Sequence, residues 1–277
     1  MGKENARLQR PVLFTPAYNE AKNVGRHLKM VHELQKEGVI GHVLIIADGS
    51  TDKTAEIARQ KAKELGMRDM VILQFHENQG KAMAFFEALN YFKTYCGGTF
   101  PKEQAMVMLD ADLLDVTPAK IRQLLSPLEH GHEMAVAQSG NIVSNYSGQR
   151  AFRLRSLMPV LTRKVKKILL LGDKEQRGGY GLELFLNDFF RFSSPFGKTL
   201  ARAVEAPVSF STPLRIKGAG IGAIGLAEMN RMATELRKRD DMFWQLKTSK
   251  WRGNAADYRR RMATLELPKR PAIRRVI

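Results

Sequence analysis

A chain of 277 residues with 44% hydrophobic content can bury a substantial core, as one large domain or two small ones. No apolar stretch is long enough to span a bilayer, and the opening Met1-Gly2-Lys3-Glu4-Asn5 lacks an apolar signal core, so neither a membrane span nor export is expected. The formal net charge of +17 points to anionic partners (nucleic acid, anionic lipid or phosphorylated small molecules), while the single Cys96 excludes an internal disulfide and fits a reducing cytoplasm.

In chain order, residues 12–14 read as a short buried strand. Val24, Leu28, Val31 and Leu34 then follow helical spacing. Residues 42–46 form a second strand. Ser50 or Thr51 is expected to cap the next helix, which carries Ala55, Ala58, Ala62 and Leu65. Residues 70–73 are a third strand, and 81–95 a helix with Phe85, Ala88, Leu89 and Phe92 turned inward as core. Residues 105–109 are a fourth strand. This alternation predicts an α/β fold, with a parallel sheet and helices on both faces. A helix over 118–128 and a fifth strand over 134–137 follow.

Beyond residue 140 the pattern loosens, which divides the chain into 1–140 and 141–277. Residues 147–150 are turn-like. The stretch 157–171 mixes Arg163, Lys164, Lys166 and Lys167 with Leu and Ile, a basic amphipathic pattern. Gly178-Gly179-Tyr180-Gly181 is a glycine-rich turn ahead of a helix over 182–190. Phe189, Phe190 and Phe192 either pack in the core or form an apolar acceptor or dimer surface. From Arg215 to Ile277 there are 16 Lys and Arg against 6 Asp and Glu, with Phe243, Trp244, Trp251 and Tyr258 among them. This helical basic C-terminal segment is either a solvated tail or a contact for a membrane surface or polyanion.

Four apolar runs each end in a polar cluster. The clusters are Thr15-Pro16-Ala17-Tyr18-Asn19-Glu20, Ala47-Asp48-Gly49-Ser50-Thr51-Asp52, Asn78-Gln79-Gly80-Lys81 and Leu109-Asp110-Ala111-Asp112. Clusters at several strand ends build one site, where an open α/β sheet binds ligands. Asp110 and Asp112, at a strand end, are expected to face the same side. They repel unless a cation lies beside them. Mg²⁺ or Mn²⁺ held there would also take the oxygens of a diphosphate. By itself Asp-x-Asp is equally a surface turn. Asp48 either accepts a ring N–H of a base or belongs only to a turn. Glu20 either accepts from a base or ribose hydroxyls, or is a first-turn Glu favoured by the helix dipole. Gly80-Lys81 opens a helix and suits phosphate or base contacts. The chain lacks P-loop spacing and a Gly-x-Gly-x-x-Gly after the first strand, which excludes those nucleotide classes. His27, His32, His42, His76, His130 and His132 share no metal spacing and read as structural or solvated.

As a set, the four clusters resemble the family 2 glycosyltransferases of the GT-A (Rossmann-like) fold, over residues 10 to about 115. The resemblance implies a mixed, mainly parallel sheet, with 1–140 as the nucleotide-sugar-binding half and 141–277 as the acceptor-binding half. It implies that Pro16, Ala17, Tyr18, Glu20, Asp48, Gly80, Lys81, Asp110 and Ala111 line the donor pocket. Asp110 would touch the ribose or metal, and Asp112 would coordinate Mg²⁺ or Mn²⁺. Ala47 stands where the family often has a second Asp. More locally, Gly179-Tyr180-Gly181-Leu182-Glu183 is similar to the Gly-Tyr-Gly-x-Glu segment of glucosyl-3-phosphoglycerate and mannosylglycerate synthases. Those synthases draw a further metal ligand from a downstream His, whereas here no His follows His132.

In the second half Glu183 is the candidate acid/base residue, either deprotonating an acceptor hydroxyl or serving only as a helix-start Glu. Arg150, with Ser147 and Gln149, either grips an anionic acceptor or lies on the surface. Gly148, Tyr180 and Gly181 complete the acceptor set. The expected function is metal-dependent transfer of a hexose from a UDP- or GDP-sugar to a small anionic acceptor such as a phosphoglycerate, in the cytoplasm, by a homodimer. One alternative is a polyprenyl-phosphate acceptor, with peripheral contact to an anionic membrane. Another is a non-catalytic nucleotide-sugar or polyanion binder. No nucleic-acid motif is recognisable, so no nucleic-acid partner is expected.

Overall fold

Short runs rich in Val, Ile and Leu, buried on both faces, make central strands of a parallel sheet, and the first half of the chain supplies four of them. The computed structural model describes residues 10–138, 147–162, 181–190, 203–212 and 272–276. Strand β1 (Val12–Ala17) lies between β2 (Val43–Ala47) and β4 (Ala105–Met108), parallel to both, and β2 pairs in parallel with β3 (Met70–Phe75). Helices α1 (Val24–Lys36), α2 (Thr54–Glu64) and α3 (Lys81–Tyr95) are the crossovers between them. The chain moves outward from β1 to β2 and β3, then returns to the other side of β1 for β4. That reversal opens a crevice beyond the carboxyl ends of β1 and β4.

The second half extends the sheet. Helix α4 (Pro118–Glu129) leads to β5 (Met134–Gln138), and β6 (Arg150–Arg153) runs antiparallel between β4 and β5. A 3-10 helix (Leu154–Leu161) follows, then α5 (Gly181–Phe189) and β7 (Ala203–Ser209), which is parallel to β5. Strand β8 (Ile273–Arg275) is antiparallel to β3. The eight-stranded order is β7-β5-β6-β4-β1-β2-β3-β8. Its β8 edge carries exposed Arg274 and Arg275, charges that discourage edge-to-edge pairing.

Each strand divides its side chains between two helical layers. Leu13, Ile45, Ile72 and Val107 pack with Val24, Leu28 and Val31 of α1, Ala58 and Ala62 of α2, and Ile121 and Leu124 of α4. The opposite face is an aromatic column. Ring centroids are 6.3 Å apart for Phe14 and Phe85, 5.9 Å for Phe85 and Phe152, and 5.9 Å for Phe152 and Phe190. This column seats α3 and the end of α5 against the sheet. Phe190 therefore belongs to the core, as do Phe85, Leu89 and Phe92.

Several expectations change. Residues 147–150 are not simply a turn, because Arg150 begins β6 and pairs with Met108 and Val136. Asp110 and Asp112 are not on a strand, since β4 ends at Met108 and both sit in the turn beyond it. Neither Ser50 nor Thr51 caps α2. Asp52 Oδ1 accepts the Thr54 N–H at 2.9 Å, while Ser50 and Thr51 bond to Asn19. Pro118 opens α4 behind Thr117, whose side chain accepts the Lys120 N–H at 3.3 Å. The described end of the expected basic helical segment is strand β8. Residues 213–271 lie outside the described residues, as do Phe192, 163–171 and the turn 178–180 with Tyr180. Among the described residues no helix is long and apolar enough to cross a membrane.

Phe85 is fully buried at the centre of the aromatic column. Phe85→Ala is expected to cost about 3–5 kcal/mol of stability. Urea unfolding should show this as a lower midpoint with an unchanged slope.

Candidate functional site

The four polar clusters converge at the carboxyl ends of the parallel strands, and hydrogen bonds tie them together. Asn19 adopts a left-handed backbone (φ 55°). Its Oδ1 accepts the Thr51 N–H at 2.9 Å, and its own N–H donates to Ser50 Oγ at 3.1 Å. The Glu20 and Ala21 N–H groups donate to Thr54 Oγ1 (2.8 Å) and Asp52 Oδ2 (3.1 Å). The loop after β1 is thereby fastened to the loop after β2. Pro16 and buried Ala17 end β1, and Tyr18 is 47% exposed at the mouth, open to a stacking partner. Glu20 is buried and accepts from Asn23 Nδ2 at 2.7 Å. Asn23 in turn accepts from Arg26 Nη2 at 2.9 Å, and that nitrogen also reaches the Asp112 carbonyl at 3.4 Å.

Asp48 fastens the third cluster to the second. Its Oδ1 accepts the Gln79 N–H at 2.8 Å and its Oδ2 the Gly80 N–H at 2.9 Å. Burial pushes this carboxyl above the usual range, and the two N–H groups pull it part of the way back. Gly49 permits the approach. At φ +60°, an added Cβ would stand 2.0 Å from Asn78 N and from Glu77 C. Asp48 thus has a structural task that the sequence reading did not assign, since it fixes the turn from which α3 starts.

Lys81 is the first residue of α3, and it joins the two halves of the chain. Its Nζ lies 2.8 Å from Asp110 Oδ1 and 2.8 Å from Glu183 Oε1. Burial alone would lower the ammonium pKa, but the charges of Asp110 and Glu183 outweigh it and hold the group above its ordinary value. Glu183 is only 2% exposed, and its Oε2 has no hydrogen-bond partner among the described residues. Asp110 Oδ2 accepts from Gln149 Nε2 at 2.9 Å, and Ser147 Oγ donates to Gln149 Oε1 at 2.8 Å. Gly148 lets this loop close on the site, because a Cβ there would lie 2.4 Å from Asp110 Oδ2 and 2.8 Å from Lys81 Nζ. Ala111 is buried between the two aspartates, and Asp112 is half-buried.

Arg150 is not the surface residue offered as one of its two readings, since its exposure is 0%. Nε donates to the Ser147 carbonyl at 2.9 Å, and Nη1 to Asn187 Oδ1 at 2.7 Å. Burial lowers its pKa to about 10, while the charges of Glu183 and Asp110 work to raise it. It therefore remains a buried cation at neutral pH. Gly148 and Gln149, expected at the acceptor, lie beside Asp110 and Lys81. Gly181 opens α5, two residues before Glu183. Sequence reasoning missed Asn187, Asn23 and Arg26. Asn187 carried a signal, since it follows Glu183 by four residues on one helix and so shares its face.

Hard carboxylate oxygens suit Mg²⁺ or Mn²⁺. Among the described residues no group of three or more His, Cys, Asp and Glu is placed to hold a metal. His27 is no candidate, because it is fully buried against Thr15 Oγ1 at 2.9 Å and burial lowers its pKa to about 4. His42 packs against the rings of Tyr91 and Tyr95, at centroid distances of 5.6 and 4.3 Å. Asp110 and Asp112, the carboxylates expected to meet a metal, follow β4 in one turn, and both oxygens of Asp110 are bonded, to Lys81 Nζ and Gln149 Nε2.

The family model described as Glycosyl transferase family 2 matches residues 12–185. The structure is similar to glucosyl-3-phosphoglycerate synthase from Mycobacterium tuberculosis, solved in complex with Mn²⁺, uridine-diphosphate and phosphoglyceric acid. The TM-score is 0.51 with 18% identity, covering 85% of this chain and 81% of that one. At that identity the likeness is one of fold. The undecaprenyl-phosphate 4-deoxy-4-formamido-L-arabinose transferase of Edwardsiella ictaluri is 26% identical over 140 residues, covering 50% of this chain and 40% of that protein. An uncharacterized protein of Methanocaldococcus jannaschii is 27% identical over 125 residues, covering 45% of this chain and 49% of that protein. The chain spans less than half the length of these curated relatives.

Asp48→Ala is expected to release the Gln79 and Gly80 amides. Their hydrogen exchange should quicken by about ten- to a hundredfold, the loss of charge-assisted bonds of roughly 1.5–3 kcal/mol. Amides in β2 and β3 should keep their protection.

Proposed function

Because the chain belongs to glycosyl transferase family 2, we propose that it moves a hexose from a UDP- or GDP-sugar to a small anionic acceptor of the phosphoglycerate type. The observation that carries this reading is the ion-pair triad of Asp110, Lys81 and Glu183, with both contacts at 2.8 Å. It brings a donor-side carboxylate, a cation for a leaving diphosphate and an acceptor-side carboxylate into one place.

On this reading Pro16, Ala17, Tyr18, Glu20, Asp48, Gly80 and Ala111 frame the nucleotide. Asp110 and Asp112 would hold Mg²⁺ or Mn²⁺, which neutralises the diphosphate as it departs. The bond from the anomeric carbon to the diphosphate oxygen breaks, and a bond to the acceptor oxygen forms. Lys81 places an ammonium beside the departing charge. Glu183 offers Oε2, which has no partner among the described residues, to the acceptor hydroxyl. In an inverting reaction it takes the hydroxyl proton. In a retaining one the leaving phosphate takes that proton and Glu183 orients the hydroxyl. Arg150 acts from behind the site, through its charge and its hold on Asn187. The acceptor contacts proposed from the sequence are Gly148, Gln149 and Gly181, together with Tyr180, which lies outside the described residues.

A second reading has one observation in its favour. The curated relative from Edwardsiella ictaluri is named for an undecaprenyl-phosphate acceptor. The basic, aromatic segment after Arg215 would serve such an acceptor at an anionic membrane face. Co-sedimentation with anionic liposomes at low salt separates the two. Retention in the supernatant removes the lipid reading.

A thermal-shift panel of UDP-, GDP-, ADP- and dTDP-sugars with and without Mn²⁺ tests the donor. The correct sugar nucleotide at a hundred times its Kd should add about 2.7 kcal/mol, a rise in Tm of roughly 5 °C or more, with Mn²⁺ present. Asp112→Ala should abolish both turnover and the Mn²⁺-dependent part of the shift. Undiminished transfer by that variant would refute the metal role. Slow donor hydrolysis by the wild type in Mn²⁺ excludes a binding-only protein.

A further inference from the structure

Asp110 has both of its carboxylate oxygens on protein donors. Lys81 Nζ sits 2.8 Å from Oδ1, and Gln149 Nε2 sits 2.9 Å from Oδ2. The same ammonium holds Glu183 Oε1 at 2.8 Å. A resident cation therefore already neutralises the carboxylates that would repel each other here. The Lys81 side chain is only 22% exposed and Glu183 only 2%, so solvent screens their charges weakly. Gly148 leaves no slack on the loop side, as its Cβ position 2.8 Å from Lys81 Nζ shows. A divalent ion sharing Asp110 with this ammonium would meet a like charge at short range in a poorly screened place.

We propose that Lys81 is a resident counter-cation that keeps Mg²⁺ or Mn²⁺ off Asp110 until a nucleoside diphosphate draws the ammonium away, so that the divalent ion enters with the donor and not before it. This rests on the reading of Asp110 and Asp112 as cation ligands. A diphosphate offers Lys81 more negative charge than its half share in two carboxylates. The exchange needs no backbone movement. The lysine stem is long and flexible, and the turn beneath it stays pinned by the Gly80 N–H on Asp48 Oδ2 at 2.9 Å. When the ammonium leaves, Glu183 Oε1 joins Oε2 without a donor among the described residues. The acceptor-side carboxylate is thus uncovered only after the donor has bound.

Mn²⁺ binding, read from the electron paramagnetic resonance signal of the free ion, tests this on the full chain with and without UDP. Without UDP, Lys81→Met should bind Mn²⁺ at least tenfold more tightly than the wild type, and the gain on adding UDP should be correspondingly smaller. Lys81→Gln keeps a donor for Asp110 and carries the same expectation should the Met variant fail to fold. Glu183→Gln, which removes a negative charge and leaves the ammonium in place, should show no gain. The proposal is overturned if the Lys81 variants bind Mn²⁺ alone no more tightly than the wild type, or if Glu183→Gln gains as much as they do. It is also overturned if the wild type binds UDP with Mn²⁺ and yet its Mn²⁺ affinity without UDP lies within threefold of that with UDP. A wild type that fails to bind UDP with Mn²⁺ would instead sink the donor reading, and a gain in the Lys81 variants would still stand for the guard.

Discussion

One ammonium group holds the site together. Asp110 follows β4 in the first half of the chain and Glu183 lies on α5 in the second, yet Lys81 bonds both at 2.8 Å. Without that cation two carboxylates would face each other across a poorly solvated gap, a like-charge arrangement that drives one of them to take up a proton. The surrounding structure delivers the ammonium to this point. Asp48 fixes the turn from which α3 springs, Gly49 lets that turn approach β2, and Gly148 lets the Ser147–Arg150 loop close over Asp110. Beneath them the column Phe14, Phe85, Phe152 and Phe190 seats α3 and the end of α5 against the same face of the sheet. The packing of the core and the chemistry of the crevice are thus joined through one helix.

The parallel half was legible in the sequence because its signals are local. Each strand is a short aliphatic run, each crossover keeps helical spacing, and each polar cluster follows a strand directly. What stayed hidden depends on distant partners. Strand β6 has four residues, of which Arg150 and Arg153 are charged, and its place between β4 and β5 comes from pairing across the sheet. Strand β8 has three residues and exists through the edge of β3. Ser50 and Thr51 are good caps by composition, but both bond to Asn19 of another loop, Lys53 takes the cap position of α2, and the Thr54 amide goes to Asp52.

The site residues divide in the same way. Asp48, Lys81, Asp110 and Glu183 were found because charged groups in short motifs point to chemistry, and the structure brings all four together. The functions of polar framework residues could not be read, since an amide takes its role from its partner. Gln149 braces Asp110, a task its place in the sequence does not reveal, while Asn187 steadies Arg150. Arg150 itself misled because charge usually marks a surface. Here the Ser147 carbonyl and Asn187 satisfy the guanidinium and allow full burial.

Charge balance in the crevice bears on the proposed acceptor. With its resident groups alone, Lys81 and Arg150 stand against Asp110 and Glu183, and this inner set is neutral. A donor diphosphate upsets that balance, and a divalent cation answers most of it. Lys81 then faces the diphosphate, which leaves Arg150 as the inner cation closest to the acceptor side, one helical turn along α5 from Glu183 through Asn187. Its charge is buried and is met by those of Glu183 and Asp110, which hold its pKa up against burial. A buried charge of this kind attracts an anion without touching it. The departure of Lys81 leaves Glu183 with Arg150 as its remaining inner cation, and those two charges offset each other once the donor and its divalent ion have bound. The physics that places a cation between two carboxylates in the free protein thus keeps the inner set near neutrality after the ammonium has turned to the diphosphate.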